Sequence, residues 1–347
     1  MNDKKNVAVI FGGVSPEHEV SCRSAAFVFS CINTDKYNPY LIGISKNAEY
    51  YFYNADISHL YEDWEKYGKK NSVVFDIAQR EFYIKGENRI DIDVVFPVIH
   101  GPNGEDGKLQ GALNCCGLPF VGCDVISSAV CMDKDVAKRL FVEAGLKIVP
   151  YFNIEKKLNA NHLKQAEILG YPLFVKPANM GSSVGIYKVN DENELKKAVE
   201  LSFKYDSKLL VEKAIDAFEL ETAALEYEED VIISTVGEIN LKKGFYDYKS
   251  KYETDDADFF IPAEITPEES ETIKHMAKKA FHATCCKGLS RVDFFMDRNT
   301  RQIYINEINT MPGFTKISLY PQLMEFDGIP AKKLIDILID NALKREN

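Results

Sequence analysis

The run Gly288-Leu-Ser-Arg-Val-Asp-Phe-Phe-Met-Asp-Arg-Asn-Thr-Arg-Gln-Ile-Tyr-Ile-Asn-Glu-Ile-Asn-Thr-Met-Pro-Gly313 decides how this chain is read. Two short apolar segments flank Asp297-Arg298-Asn299-Thr300, the pattern of a β-hairpin. Side chains alternate along a strand, so Arg291, Asp293 and Phe295 share a face of the first arm. By the same rule Ile305, Glu307 and Asn309 share a face of the second. With Phe295 opposite Ile305, Asp293 falls opposite Glu307 and Arg291 opposite Asn309. Directly opposed side chains start only about 5 Å apart. Two carboxylates and an amide oxygen at that separation repel unless a cation lies between them. Hard oxygen donors suit Mg2+ or Mn2+, with phosphate oxygens completing the octahedron. A surface hairpin with solvated charges explains any one of these residues. Three oxygen donors on one face, with an Arg beside them, point instead to a metal–phosphate platform.

At 347 residues the chain calls for two or three domains. Its 46% apolar and 27% charged residues are those of a soluble globular protein. A formal charge of −11 with no basic tract argues against nucleic acid as the main partner. Substrate anions must then be met by local basic clusters. No stretch approaches the roughly 18 apolar residues of a membrane span. Val7 to Phe11, closed at once by Gly12-Gly13, is too short for a signal peptide. The eight cysteines include two adjacent pairs but no C-x-x-C, and no histidine stands at zinc spacing. They read as buried or half-buried thiols of a reducing cytoplasm.

Working outward, Asn6 to Phe11 is a buried parallel strand closed by glycines, and Ser15-Pro16 starts a helix reaching about Cys31. Strand, glycine turn and helix form a phosphate-binding arrangement. The third glycine of a dinucleotide fingerprint is missing, and Gly107-Lys108-Leu109 breaks the Walker pattern. Glu17 and Glu19 in the first helical turn would by themselves only complement the helix dipole. Tyr40 to Ile44 is a second strand. Asp93 to Ile99 is another, ending in the loop His100-Gly-Pro-Asn-Gly-Glu-Asp-Gly107, where α/β sheets bind ligands. Leu109 to Cys116 and Asp133 to Ala144 are helices, the latter with a basic face of Lys134, Lys138 and Arg139.

The strand Leu173 to Pro177 carries Lys176 into Asn179-Met-Gly-Ser-Ser-Val-Gly185, a loop whose N–H and hydroxyl donors can close over an anion. Asp191 starts a helix to about Tyr205, Leu209 to Val211 is a strand running into Glu212-Lys213-Ala214-Ile215, and Val231 to Glu238 is another strand. Asn240 to Ile261 mixes lysines, tyrosines and aspartates with no apolar period, which suggests a lid. Thr266 caps an amphipathic helix, and Ala331 to Lys344 forms the last one.

The ordered set Gly-Gly-x-Ser-x-Glu-x-Glu-Val-Ser, His-Gly-x-x-Gly-Glu-Asp-Gly, Met-Asp-Lys, Lys-Pro-x-x-x-Gly-Ser-Ser-x-Gly, Phe-Tyr-Asp-Tyr-x-x-Lys-Tyr, Arg-x-Asp and Asn-Glu-x-Asn-Thr-x-Pro-Gly resembles that of the D-alanine–D-alanine ligases. The likeness runs from about residue 5 to 345. It implies an α/β protein of ATP-grasp architecture: an N-terminal doubly wound parallel-sheet domain (1–125) and two α+β domains (126–212 and 213–347) enclosing the nucleotide, with a mobile loop at 240–261. It also implies cell-wall precursor synthesis in the cytoplasm by a homodimer.

In such an enzyme one D-alanine carboxylate attacks the γ-phosphate of ATP, and the amine of a second D-alanine then attacks the acyl phosphate. The resemblance implies that Lys134 and Lys176 hold the α- and β-phosphates and that Gly181, Ser182, Ser183 and Val184 cover the γ-phosphate. It gives Asp293, Glu307 and Asn309 two Mg2+ ions. It assigns adenine to Glu212, Lys213 and Ile215, the ribose to Glu219, base packing to Phe295, and the γ-phosphate in the closed lid to Lys251. Glu17, with Ser182 and Tyr252, would take the first ammonium, and His100 would lie near the first carboxylate. Arg291 and the Gly313 N–H would hold the oxyanion, while Ser318 would receive the second carboxylate beside Leu319.

Thr315-Lys316-Ile317-Ser318-Leu319 departs from the Thr-Ser-His-Ser-Leu common in the family. The centre of the chain also resembles the vancomycin-resistance ligases that use D-serine. Leu319 gives an apolar wall with no donor for a serine hydroxyl, and Tyr252 stands where D-lactate-using relatives carry a histidine, so D-alanine leads. The rival readings are a D-alanine–D-serine ligase, a catalytically silent amino-acid or nucleotide sensor, and another ATP-grasp carboxylate–amine ligase.

Overall fold

The computed structural model describes residues 4–68, 71–85, 89–241 and 257–345. Three sheets divide them. The first has seven strands in the order 90–91, 81–84, 71–76, 50–53, 37–44, 5–12 and 94–97. Lys5–Gly12 lies parallel to both Tyr37–Ile44 and Val94–Pro97, and its buried run Val7 to Phe11 is apolar because both faces are covered. The parallel arrangement stops there, since 50–53, 71–76, 81–84 and 90–91 extend the sheet in antiparallel steps. Their mixed aromatic and polar sequence gave no strand signal. They are sheet extensions whose outer residues stay half-exposed.

A four-stranded antiparallel sheet follows, in the order 187–189, 173–177, 208–213 and 151–155. The third sheet orders 257–260, 237–241, 217–227, 289–297 and 303–309, with 230–233 paired to 217–227. Where one strand was expected over 231–238 there are two, Asp230–Ile233 and Gly237–Leu241. Gly237–Leu241 pairs with Ala257–Phe260, so the ends of the expected 240–261 lid are strands. Its interior, with Lys251 and Tyr252, lies outside the described residues.

The first helix starts later than Ser15-Pro16 implies. Ser15 does not cap the first helix, which spans His18–Cys31. Its hydroxyl instead accepts the Glu17 N–H, forming a turn that leaves Glu17 at the N-cap position. Thr266 does form a capping box with Glu269 ahead of Pro267–Ala283. A helix over Leu319–Phe326 had not been anticipated. Together with Ala331–Lys344 it folds back onto the first sheet, where Phe314, Tyr320, Leu334 and Leu338 share one core with Val7, Val9, Phe11 and Phe96. That packing brings the end of the metal hairpin beside the His100 loop. All eight cysteines are free thiols, and Cys115 and Cys285 are exposed rather than covered.

Candidate active site

The expected hairpin is present. Arg291 pairs with Asn309 and Asp293 with Glu307 across Leu289–Asp297 and Ile303–Asn309. Phe295 does not face Ile305, because the register shifts after Asp293 and sets Phe295 opposite Tyr304. Asn306 is the extra residue, a β-bulge. It changes which side chains share a face: Ile303, Ile305 and Ile308 all enter the core, while Glu307 and Asn309 turn to the cleft. Ile305 therefore does not share their face.

Arg291 is clamped. Its guanidinium donates to both oxygens of Asp293 at 2.7 Å and lies 2.9 Å from Glu221, the cross-strand neighbour of Asp293 on the other side. Asn309 adds a 2.8 Å bond to Asp293. Glu307 lies 3.3 Å from the Lys134 ammonium, which also donates to the Met180 carbonyl at 2.8 Å. Each acid thus rests against a side-chain cation. Among the described residues no three His, Cys, Asp or Glu side chains converge on one point. The donor set here is two carboxylates and an amide oxygen, which suits a hard divalent ion.

A second group sits deeper. Glu212 is 2% exposed, with Lys176 at 2.5 Å on one carboxylate oxygen and Lys138 at 3.0 Å on the other. Burial alone would raise the Glu212 carboxyl, but the two ammonium groups overrule it and hold it down at about 2. Lys138 is therefore not part of an exposed basic face. It is buried among the strands while Arg139, on the same helix, stays outside. The Lys176 ammonium is 5.9 Å from the Phe295 ring. Glu219 is the cross-strand partner of Phe295, and Lys213 donates to the Gly170 carbonyl at 2.6 Å. The Lys213 and Ala214 N–H groups are taken as well, by the Pro150 and Pro172 carbonyls at 3.0 Å. Ile215 follows, half-buried.

The loop after Lys176 turns tightly. Ser182, Ser183 and Gly185 all have left-handed backbone, and Val184 donates back to Gly181 at 3.1 Å. Consecutive non-glycine residues in that region are costly and mark a constrained functional turn. The Ser182 hydroxyl reaches across to donate to Glu17 at 2.5 Å, although the two residues are 165 positions apart.

These elements enclose a cavity of about 350 Å³ lined by Glu17, His100, Lys134, Gly181, Ser182, Arg291, Glu307, Asn309, Gly313, Ser318 and Leu319, among others. Eleven of the expected side chains and backbone positions thus meet on one wall or another. His100 lines it too, yet both ring nitrogens are engaged. Nδ1 lies 2.9 Å from the Met311 carbonyl, which can only accept, so Nδ1 carries the proton and Nε2 accepts from Ser24 at 3.0 Å. Burial keeps the ring neutral, lowering its affinity for a second proton. The Ser318 hydroxyl is bonded to Thr315 rather than capping Leu319–Phe326, and Ser318 and Leu319 at the start of that helix line the cavity. Sequence reasoning assigned no role to Glu105, Glu221 or Lys138. Only the Glu105 position in the His100 loop hinted at one.

Comparison with known proteins settles the family. Residues 6–123 match the D-ala D-ala ligase N-terminus and residues 140–340 the D-ala D-ala ligase C-terminus. The chain belongs to the D-alanine–D-alanine ligase family. It is 45% identical to the D-alanine–D-alanine ligase of Thermoanaerobacter sp. strain X514, covering 99% of this chain and 98% of the relative. It is 44% identical to that of Acetivibrio thermocellus, with 100% and 98% covered. Among solved structures it is similar to the VanG D-Ala:D-Ser ligase of Enterococcus faecalis (TM-score 0.89, 40% identity, 98% and 100% covered). It is also similar to the D-alanine–D-alanine ligase of Coxiella burnetii (TM-score 0.88, 33% identity, 99% and 95% covered). The ligase has the ATP-grasp fold, as its sequence motifs implied.

Proposed function

We propose that this ligase joins two D-alanines to D-alanyl-D-alanine at the expense of ATP, for peptidoglycan precursors made in the cytoplasm. The observation that carries the reading is the 2.5 Å contact from Ser182 to Glu17, made across a cavity whose other walls hold Arg291, Gly313 and Glu307. It joins an amino-acid pocket to a phosphate-binding loop.

Glu17 binds the ammonium of the first D-alanine, with Ser182 and Tyr252 beside it. The carboxylate of that D-alanine attacks the γ-phosphorus of ATP; the new C–O–P linkage forms as the bond to the β-phosphate oxygen breaks and ADP leaves. Lys134, Lys176 and the turn Gly181, Ser182, Ser183 and Val184 hold the phosphates, with Lys251 added by the lid. Glu219, Phe295 and the backbone of Glu212, Lys213 and Ile215 hold the nucleoside. Asp293, Glu307 and Asn309 would bind Mg2+ or Mn2+, which supplies positive charge to the transferring phosphoryl group. The amine of the second D-alanine attacks the acyl carbon, the C–O bond to phosphate breaks, and the departing phosphate takes up the proton the amine gives up. Arg291 and the Gly313 N–H meet the oxyanion of that step. The second carboxylate lies at the N-terminus of Leu319–Phe326, beside Ser318, where N–H groups and helix dipole favour an anion. A division at 1–125, 126–212 and 213–347 and a homodimer belong to the same reading, and the three separate sheets support the division.

The VanG likeness favours one second reading, D-serine as acceptor. Leu319 and the exposed Ile317 give that position apolar walls, which fits D-alanine better. The test is ADP release with Mg2+ and D-alanine, D-serine, D-lactate or L-alanine, with products resolved by mass. Dominance of D-alanyl-D-serine in an equal mixture would overturn the choice of acceptor, and no amino-acid-dependent ADP would overturn the function.

A further inference from the structure

Glu105 is a lining residue of the cavity with no role in the reaction described above. Its two carboxylate oxygens point to two different parts of the chain. One accepts the Gly101 N–H at 2.7 Å and the other the Met311 N–H at 3.2 Å. The Met311 carbonyl is held in turn by His100 at 2.9 Å, and three residues on the Phe314 N–H donates to Ser24 at 3.3 Å. Met311 is therefore anchored to the His100–Glu105 loop and Phe314 to the helix His18–Cys31, with Gly313 between the anchors. No hydrogen bond occupies the Gly313 N–H among the described residues, and Gly313 lines the cavity.

We propose that Glu105 is a positioning residue for the second half of the reaction, clasping the Met311–Phe314 segment to the Gly101 loop so that the Gly313 N–H is aimed at the acyl carbonyl. The inference rests on the oxyanion role given to Gly313 above. Gly101 ties the clasp to the first amino acid as well. Its backbone is left-handed (φ +75°), and a Cβ there would lie 2.7 Å from a Glu17 carboxylate oxygen, so the loop is pressed against the group that binds the first ammonium.

The charges around Glu105 fit this arrangement. Burial and the Glu17 carboxylate push Glu105 up to about 8, while the two N–H groups and Arg291 act the other way. An ammonium docked on Glu17 would offset the Glu17 contribution and leave burial as the cause that holds Glu105 up.

The experiment is the ratio of ADP to dipeptide in Glu105→Gln, whose amide keeps the shape but has one acceptor oxygen for two N–H groups. A misaimed oxyanion donor slows aminolysis but not phosphoryl transfer, so water takes part of the acyl phosphate. The expected result is about tenfold slower dipeptide formation, the loss of one hydrogen bond, and a ratio rising from one to two or more. Glu105→Asp, which keeps the charge but falls short of Met311, should change the ratio in the same direction, and it replaces Glu105→Gln if that variant does not fold. A ratio that stays at one, whether rates are unaltered or ADP and dipeptide fall together, overturns the proposal. Wild-type protein that releases no ADP with D-alanine overturns the functional reading, and this inference with it.

Discussion

Replacing Glu212 with Gln tests the reasoning about the buried lysines most directly. The carboxylate is 2% exposed and holds Lys176 and Lys138 on separate oxygens at 2.5 and 3.0 Å. An ordinary Glu carboxyl at 4.5 held down at about 2 corresponds to about 3 kcal/mol of folding stability. The same order is expected from breaking a buried ion pair and stranding its partner, about 3–5 kcal/mol. Because the folded-state value lies below the unfolded one, this contribution is complete above about pH 4.5 and fades as the pH falls toward 2. Glu212→Gln should therefore melt several degrees below wild type at pH 7, and the gap should narrow as the pH is lowered from 5 to 3. Circular dichroism during heating reads the gap, and calorimetry at pH 7 reads the accompanying loss of ATP affinity, since two unpaired ammonium groups move apart. A gap under 1 kcal/mol at pH 7, or one indifferent to pH across that window, would refute the account of Glu212 as the keystone of the lysine pair.

Asp293→Ala or Glu307→Ala should abolish turnover while the circular dichroism spectrum is kept, because Arg291 retains Glu221 at 2.9 Å when Asp293 is gone; Mg2+-dependent activity in either purified variant would contradict the metal assignment. Ser182→Ala removes a charge-assisted bond worth about 1.5–3 kcal/mol, so kcat/KM for the first D-alanine should fall about tenfold or more, and a change under twofold would detach Ser182 from Glu17. Gly101→Ala costs about 1–2 kcal/mol for its left-handed backbone and drives a methyl against the Glu17 carboxylate. It should lose more activity than stability, and a melting-point change with wild-type kinetics would say otherwise.

The pairing of Asp293 with Glu307 and Arg291 with Asn309 was legible because period-two alternation and a short polar turn leave few registers. The bulge at Asn306 was not, since an inserted residue has no compositional mark and is detected only through the partner strand. Lys138 looked like surface because it sits one residue from Arg139 on the same helix; its burial depends on Glu212, 74 positions later, which no local pattern reports. Glu221 was hidden for a similar reason, its meaning residing in the opposite strand, where Asp293 and Arg291 lie. The helix Leu319–Phe326 was obscured by Pro321, which sits in its first turn, where proline is tolerated.

The bulge sets a rule for how the last strand of the third sheet can vary. One surplus residue lets Ile303, Ile305 and Ile308 all reach the interior while Glu307 and Asn309 look outward. Deleting Asn306 would leave every cross-strand pair in place, with Tyr304, Glu307 and Asn309 on one face and the isoleucines on the other, whereas a strand that kept Asn306 in regular pairing would drive Glu307 into the apolar layer. The strand thus tolerates loss of its surplus residue but not its absorption into regular pairing, whereas the turn at Asp297–Thr300 can lengthen freely, because slack there never reaches the row of ligands.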